Sequence, residues 1–296
     1  MNIKQTSPDA YFPGRFKDKV ILITGAAIGN IGGCTAVRAA KEGAKVVCVD
    51  IKEKELNDLI SEIEKLGGDS IPVIADISDP KESERMVHEA VSKYGRIDLA
   101  LNAAGVMDGN DPRKPQDFEN HLSLLPNSIH NASDEYWFRV FDTNSHGIFF
   151  SMRAELKQLL KQSGGGAIVN IGSIAGLTGL PGNCAYSASK HAVIGITRNA
   201  AIDYAPYGIR INSVNMAQTD TPMVTRAYEF VKWIQEKGTG SGMAGAKSKS
   251  LLQMADENQR GSTSWEQAAI ILFLLSDDAS NITGANYATD GGWTAY

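Results

Sequence analysis

The sequence predicts an α/β protein built on a doubly wound, parallel, seven-stranded sheet in a single domain. Three observations predict it. Short runs rich in Val and Ile alternate with amphipathic stretches of helical length along most of the chain. Those runs are continuously apolar, as strands buried on both faces of a parallel sheet should be. No compositional break or internal repeat divides the 296 residues, and a chain of that length buries about three-quarters of its unfolded surface in one core. The strand runs fall at 20–24, 45–50, 71–75, 97–102, 167–171, 210–215 and 285–289. Helices are expected between them, at 33–42, 53–66 and 80–94. The third has an acidic cap, Asp79, and Pro80 in its first turn. Further helices are expected at 133–162, 186–204 and 264–275. Such βαβα order places helices on both faces of a parallel sheet.

Composition excludes several functions. With 29 basic and 34 acidic side chains the net charge is −5, so no basic field holds nucleic acid or an anionic membrane. Cys34, Cys48 and Cys184 are odd in number and lack a CxxC pair; neither a disulfide framework nor a zinc site is expected. The longest apolar run, 268–275, is far short of the ~20 residues that cross a bilayer. The opening residues lack the apolar core of a signal peptide. A reducing, cytoplasmic setting is therefore expected.

Two stretches interrupt the alternation. Residues 106–132 are polar, carry three prolines and follow a strand end; an inserted, solvated surface loop is the expectation. Residues 216–263 contain an apolar helix-like piece with Met223, Tyr228, Phe230 and Trp233, then a glycine-rich run at 238–245. Apolar faces of that kind suit a helical substrate lid with a glycine hinge.

Between the first strand and first helix lies Thr24-Gly25-Ala26-Ala27-Ile28-Gly29-Asn30-Ile31-Gly32-Gly33. Glycines there allow a tight turn, so that helix N-terminal N–H groups can meet a pyrophosphate. Asp50 ends the next strand, 25 residues after Gly25. A carboxylate in that place accepts hydrogen bonds from ribose hydroxyls and repels a 2′-phosphate, which favours NAD over NADP.

Together with a Ser-Tyr-Lys pattern further on, these motifs resemble the short-chain dehydrogenase/reductase family in its ordinary, non-extended branch, a Rossmann-type fold, from about Phe16 to Trp293. Thr24, Gly25 and Gly29 match the family's TGxxxGxG, with the next glycine one residue late at Gly32; either a residue is inserted or Asn30 takes the second glycine's place. The resemblance implies cofactor contacts at Gly25, Gly29, Asn30, Ile31, Gly32, Asp50, Ile51, Asp76, Ile77, Asn102, Ala103, Ala104, Gly105, Thr219 and Thr221. Asn102-Ala103-Ala104-Gly105 is similar to the family's NNAG, and Thr289-Asp290-Gly291-Gly292 to its C-terminal DGG. The family's Pro-Gly after the sixth strand is Met216-Ala217 here, which changes the stiffness of that turn.

Tyr186 and Lys190 form a YxxxK, 13 residues after Ser173 at the end of the fifth strand. Ligands of open parallel sheets bind beyond the strands' carboxyl ends, where Ser173 stands. A second YxxxK, Tyr228 to Lys232, lacks such a serine and is read as a decoy. Alcohol oxidation needs a base for the hydroxyl proton, and a free phenol with pKa ≈ 10 is poor at neutral pH. Lys190 shares a helix face with Tyr186. Lowering the phenol by ~2–3 units takes roughly 3–4 kcal/mol, within reach of a nearby charge in a partly dry pocket. Ser173 would polarise the substrate oxygen. By resemblance, Lys190 and Tyr186 also contact the nicotinamide ribose, and Asn144 orders a water in the proton relay; neighbouring His146 is read as a packing or surface residue.

The expected activity is NAD-dependent hydride transfer between a secondary alcohol and a ketone. An NADPH-using carbonyl reductase and a catalytically idle Rossmann-type binding protein are the alternatives. Ser173, Ile174, Leu180, Tyr186, Met216, Met223, Tyr228 and Trp233 are the expected substrate pocket. Their scarcity of charge suits an apolar alicyclic, terpenoid or steroid-like alcohol. By resemblance the chain forms a homotetramer.

Overall fold

The computed structural model describes residues 1–162, 164–237 and 248–296. The expected glycine hinge at 238–245 lies outside these. Seven strands form one parallel sheet: β1 (Val20–Thr24), β2 (Lys45–Asp50), β3 (Asp69–Ile74), β4 (Leu99–Asn102), β5 (Gly166–Ile171), β6 (Ile209–Met216) and, after a two-stranded accessory pair, β9 (Asn286–Thr289). Their spatial order is β3-β2-β1-β4-β5-β6-β9. Chain direction across the sheet reverses between β1 and β4, and that switch point opens a crevice at the strands' carboxyl ends. The accessory pair, β7 (Thr219–Asp220) and β8 (Ser262–Thr263), was not foreseen; two residues are too few to leave a pattern.

The continuous apolar runs are explained by alternate burial. Ile21, Ile23, Val46 and Cys48 join the core beneath α1 (Ile31–Lys41), α2 (Glu53–Lys65) and α9 (Ser264–Leu275). Val20, Leu22, Val47 and Val49 face the opposite core, beneath α3 (Pro80–Tyr94), α5 (Gly147–Gln162) and α6 (Cys184–Tyr204). On α2, Leu56, Leu59, Ile60 and Ile63 are buried at helical spacing, and each such side chain contributes ~1.5–3 kcal/mol relative to exposure. Asp79 accepts from Lys81 N at 2.8 Å and begins α3 as the sequence predicts. Thr263 and Glu266 form a reciprocal capping box on α9.

The helix expected over 133–162 is instead α4 (Asp134–Phe141), a π-helical segment (Asp142–His146), and α5. A π segment inserts a residue into the helical ladder and turns the side chains that follow. Here it carries Asn144. The remaining α-helices among the described residues are α7 (Pro222–Lys237) and α8 (Leu251–Ala255). No helix among the described residues is long and apolar enough to cross a membrane.

Behind the switch point a polar group is sealed into the core. Asn102 Nδ2 donates to Glu155 Oε2 and to Asn170 Oδ1, both at 3.1 Å. Asn102 Oδ1 and Glu155 Oε1 are buried without a partner, so the group lacks a donor that a proton on the carboxyl would provide. Burial pushes the Glu155 carboxyl up to about 7. Its folded value exceeds its unfolded one, so the stabilisation is complete below the unfolded carboxyl range and is lost as pH rises towards 7. Glu155→Gln keeps an acceptor and adds the missing donor. It should raise the melting temperature at pH 8 by several degrees, corresponding to ~2 kcal/mol, with the advantage shrinking towards pH 4.5. Thermal melts across that range check it; a constant difference would place the effect elsewhere.

Candidate active site

One cavity of about 920 Å³ lies over the carboxyl ends of the strands, between the glycine turn and α7. Its wall at the switch point depends on Gly25. That residue sits at φ 67°, and a Cβ there would lie 2.6 Å from Ala104 N and 2.7 Å from Ala103 C. Gly32, in the first turn of α1, packs against the Gly25 carbonyl, where a Cβ would clash. Gly32 therefore packs on the turn, and Asn30 is the α1 N-cap. At the end of β2, Asp50 Oδ2 accepts from Ala27 N at 2.9 Å and Oδ1 from Lys52 N at 3.0 Å. Burial raises the Asp50 carboxyl, while the Lys52 and Ala27 N–H groups work the other way.

Most residues expected to hold the cofactor line this cavity: Gly25, Asn30, Ile31, Gly32, Asp50, Ile51, Asp76, Ile77, Ala103, Ala104, Gly105, Thr219 and Thr221. Two stand back from it. Gly29 is exposed and turns the chain at φ 81°, and Asn102 is fully buried against Glu155 and Asn170.

Ser173, Tyr186 and Lys190 meet on the floor. Ser173 follows β5 in extended backbone, and its Oγ accepts from Ala175 N at 3.1 Å. Gly172 precedes it because a Cβ there would drive into Asn215 Oδ1, which itself accepts from Ser173 N at 3.3 Å. Burial raises the Tyr186 phenol, and its hydrogen bond with Ser173 lowers it. One turn along α6, Lys190 Nζ lies 5.7 Å from the Tyr186 ring centroid and donates to Ile171 O at 2.8 Å. Burial pushes the Lys190 ammonium down to about 8.

Asn144 does not line the cavity. Its Oδ1 accepts from Val106 N at 2.8 Å, and its Nδ2 donates to Val106 O at 2.9 Å and to Ser189 Oγ at 3.1 Å. It ties β4's exit to α6. A Cβ on Gly105 would stand 3.1 Å from Asn144 Oδ1 and 3.7 Å from Lys190 Nζ, so Asn144 lies beside the lysine through that glycine. His146 is exposed and bonds Asp142 Oδ1 at 2.9 Å, as a surface histidine.

Of the residues expected to form the substrate pocket, only some line the cavity. Met216, Met223 and Trp233 line the cavity with Ser173 and Tyr186, but Ile174, Leu180 and Tyr228 do not. Ile174 is buried below the serine. Leu180 packs against the cluster of Tyr136, Val140 and Tyr186, behind the cavity floor. Tyr228 is 52% exposed; Val224 and Val231, on the same face of α7, line the cavity, but Tyr228 does not.

Residues 106–132, read as a solvated loop, supply much of the opposite wall, with Met107, Asn110, Leu122 and Leu125. Their apolar members follow no period that would have marked them. Tyr136 was also missed, although Tyr136, Val140 and Asn144 recur every four residues; it is fully buried in the cluster holding Tyr186. Charges at the rim are committed: Lys237 pairs with Glu119 at 2.7 Å, and Arg226 donates to Lys114 O at 3.0 Å.

The family model for short chain dehydrogenases matches residues 19–232. A 3beta-hydroxysteroid dehydrogenase of Mediterraneibacter gnavus is 38% identical over 97% of this chain and 98% of its own. A cyclohexanol dehydrogenase of an Acinetobacter species is 37% identical over 95% and 97%. Among solved structures, carveol dehydrogenase from Mycobacterium avium in complex with NAD superposes with a TM-score of 0.80 at 26% identity, covering 96% of this chain and 100% of that one. The chain belongs to the short-chain dehydrogenase family of oxidoreductases.

Proposed function

We propose that the chain oxidises an apolar cyclic secondary alcohol to its ketone with NAD, reversibly. One observation carries this reading. The cavity that holds Ser173, Tyr186 and Lys190 reaches Asp50 at one end and the apolar face of α7 at the other.

The first end fits a dinucleotide. The position of a Cβ on Gly29 is open but for Pro222 Cγ at 3.9 Å, which leaves the backbone accessible to a ligand. Ile31 and Gly32 begin α1, whose unpaired N–H groups and dipole suit a pyrophosphate. A carboxylate has about four lone-pair sites, so Asp50 retains capacity for ribose hydroxyls beyond its two backbone bonds.

The nicotinamide, when bound, supplies the hydride acceptor. Ser173 Oγ donates to the alcohol oxygen and orients it. Tyr186, as phenolate, takes the hydroxyl proton while the carbinol C–H pair departs as hydride, so one proton and one hydride leave and the C=O forms. Burial opposes ionisation of Tyr186. Lys190, charged at neutral pH and 5.7 Å from the ring centroid, provides the positive field that favours the phenolate. Asn144 holds Val106 and Ser189 in place around these groups. The relatives' activities on cyclohexanol and a hydroxysteroid support the substrate class, as does the wall formed by Met216, Met223, Phe230 and Trp233.

Tyr186→Phe should lower kcat by ~10²–10⁴-fold, the range for loss of an acid–base group, with NAD binding retained in a fluorescence titration. Near-normal turnover in that variant would remove Tyr186 from the mechanism. NAD binding by the parent chain, with no turnover of any alcohol, would indicate a binding protein. For the cofactor end, Asp50→Ala should raise the KM for NAD at least ~tenfold, given the worth of charged hydrogen bonds, and admit NADP. Equal use of both cofactors by the unaltered enzyme would refute the assignment of Asp50. A substrate panel should show turnover of cyclohexanol, carveol or a 3β-hydroxysteroid and little of a sugar alcohol.

A further inference from the structure

The helix α7 is poorly anchored by the core. None of its sixteen residues is buried, and its N-terminal end is fixed where Thr221 Oγ1 accepts from Val224 N at 3.3 Å. A helix that long extends ~24 Å, so its second half needs another support if it is to roof a cavity.

Residues 106–132 provide one. The Phe118 ring lies 5.6 Å from both the Phe230 and Trp233 rings, tilted at 45° and 41°. Phe230 and Trp233 are 6.3 Å apart at 21°, so the three rings form one cluster. Phe230 and Trp233 line the cavity, whereas Phe118 does not; it stands behind them. The Lys237–Glu119 ion pair and the Arg226 to Lys114 O bond join the same two elements. Both side chains of the ion pair are at least half exposed, and exposed pairs contribute little to stability. Aromatic contact is therefore the main clasp.

We propose that Phe118 is a positioning residue for the substrate: it clasps α7 over the cavity and thereby holds Phe230 and Trp233 in the substrate wall. The proposal rests on the cavity's being the alcohol site, and it gives 106–132 a role beyond a surface loop. Phe118 touches neither the cofactor end nor the Ser-Tyr-Lys floor, so its loss weakens substrate retention without impairing the chemical step. Opening the roof also eases product departure, so kcat stays level or rises.

The test uses the full-length chain saturated with NAD, as the parent, Phe118→Ala and Phe118→Tyr. In Phe118→Ala, amides of 222–237 should exchange about tenfold faster, with β1 and β4 unaffected. The KM for the preferred cyclic alcohol should rise about tenfold with kcat not reduced, and Phe118→Tyr, which keeps the ring, should restore both. Unchanged exchange across 222–237 overturns the proposal. So does a fall in kcat and melting temperature together with an unmoved KM, which marks a merely structural residue. If the parent oxidises no alcohol, the exchange result alone decides the clasp, and the functional reading fails separately.

Discussion

The contact on which this structure depends is the backbone approach of Gly25 to Ala103 and Ala104 at the ends of β1 and β4. At that point neighbouring crossovers depart to opposite faces of the sheet, and a crevice forms because no connection covers it. A Cβ on Gly25 would have to displace backbone, with no flexible side chain to yield. Moving these strand ends apart would shift Thr24, whose Oγ1 accepts from Ala103 N at 3.2 Å. It would also disturb Gly105 and, beyond it, Asn144 and Lys190. The Asp50 end of the cavity and its Ser-Tyr-Lys floor thus share one steric constraint.

Polar groups extend that constraint through the layers beneath. Asn102 joins β4 to β5 through Asn170 and to α5 through Glu155. Asn170 reaches α6 through Thr197 Oγ1 at 2.9 Å, and Asn144 bridges β4's exit to the same helix. Asn215 does the equivalent between β6 and Ser173. Each bond is worth ~1 kcal/mol net, but breaking one leaves a buried group unsatisfied at a greater cost. These side chains set the relative heights of β4, β5 and α6, and with them the separation of Ser173, Tyr186 and Lys190. Hydrophobic packing holds the layers together without specifying that registry.

Much of this was legible because its causes are local. Continuous Val/Ile runs reveal strands covered on both faces, as Val46, Val47, Cys48 and Val49 are divided between two cores. Asp79-Pro80 marks a helix start for stereochemical reasons, and Tyr186 and Lys190 share a face by helical period. Features that depended on non-local contact were hidden. The π segment at Asn144 has no compositional sign. Thr219–Asp220 and Ser262–Thr263 pair over two residues, with a 2.8 Å contact between the Thr219 and Ser262 hydroxyl oxygens. Residues 106–132 read as solvated because polar residues and prolines dominate them; in the structure those polar groups bond locally, as Asp111 does with Arg113 and Asp117 with Asn120. That local satisfaction leaves Met107 and Leu125 free to face the cavity.

The cavity therefore has a floor and a roof held by different forces. Ser173, Tyr186 and Lys190 lie at most 8% exposed, on elements packed into the sheet, so changes there carry a folding cost as well as a chemical one. The roof is a helix without a buried residue, joined to a polar segment by three rings and a few surface bonds. Substitutions there can reshape the roof of the cavity while the Gly25–Ala104 approach and the Ser-Tyr-Lys floor remain intact. Relatives of 38% and 37% identity that act on a steroid and on cyclohexanol are consistent with such a division. Substrates of very different size can be served by one floor if the roof is the part that varies.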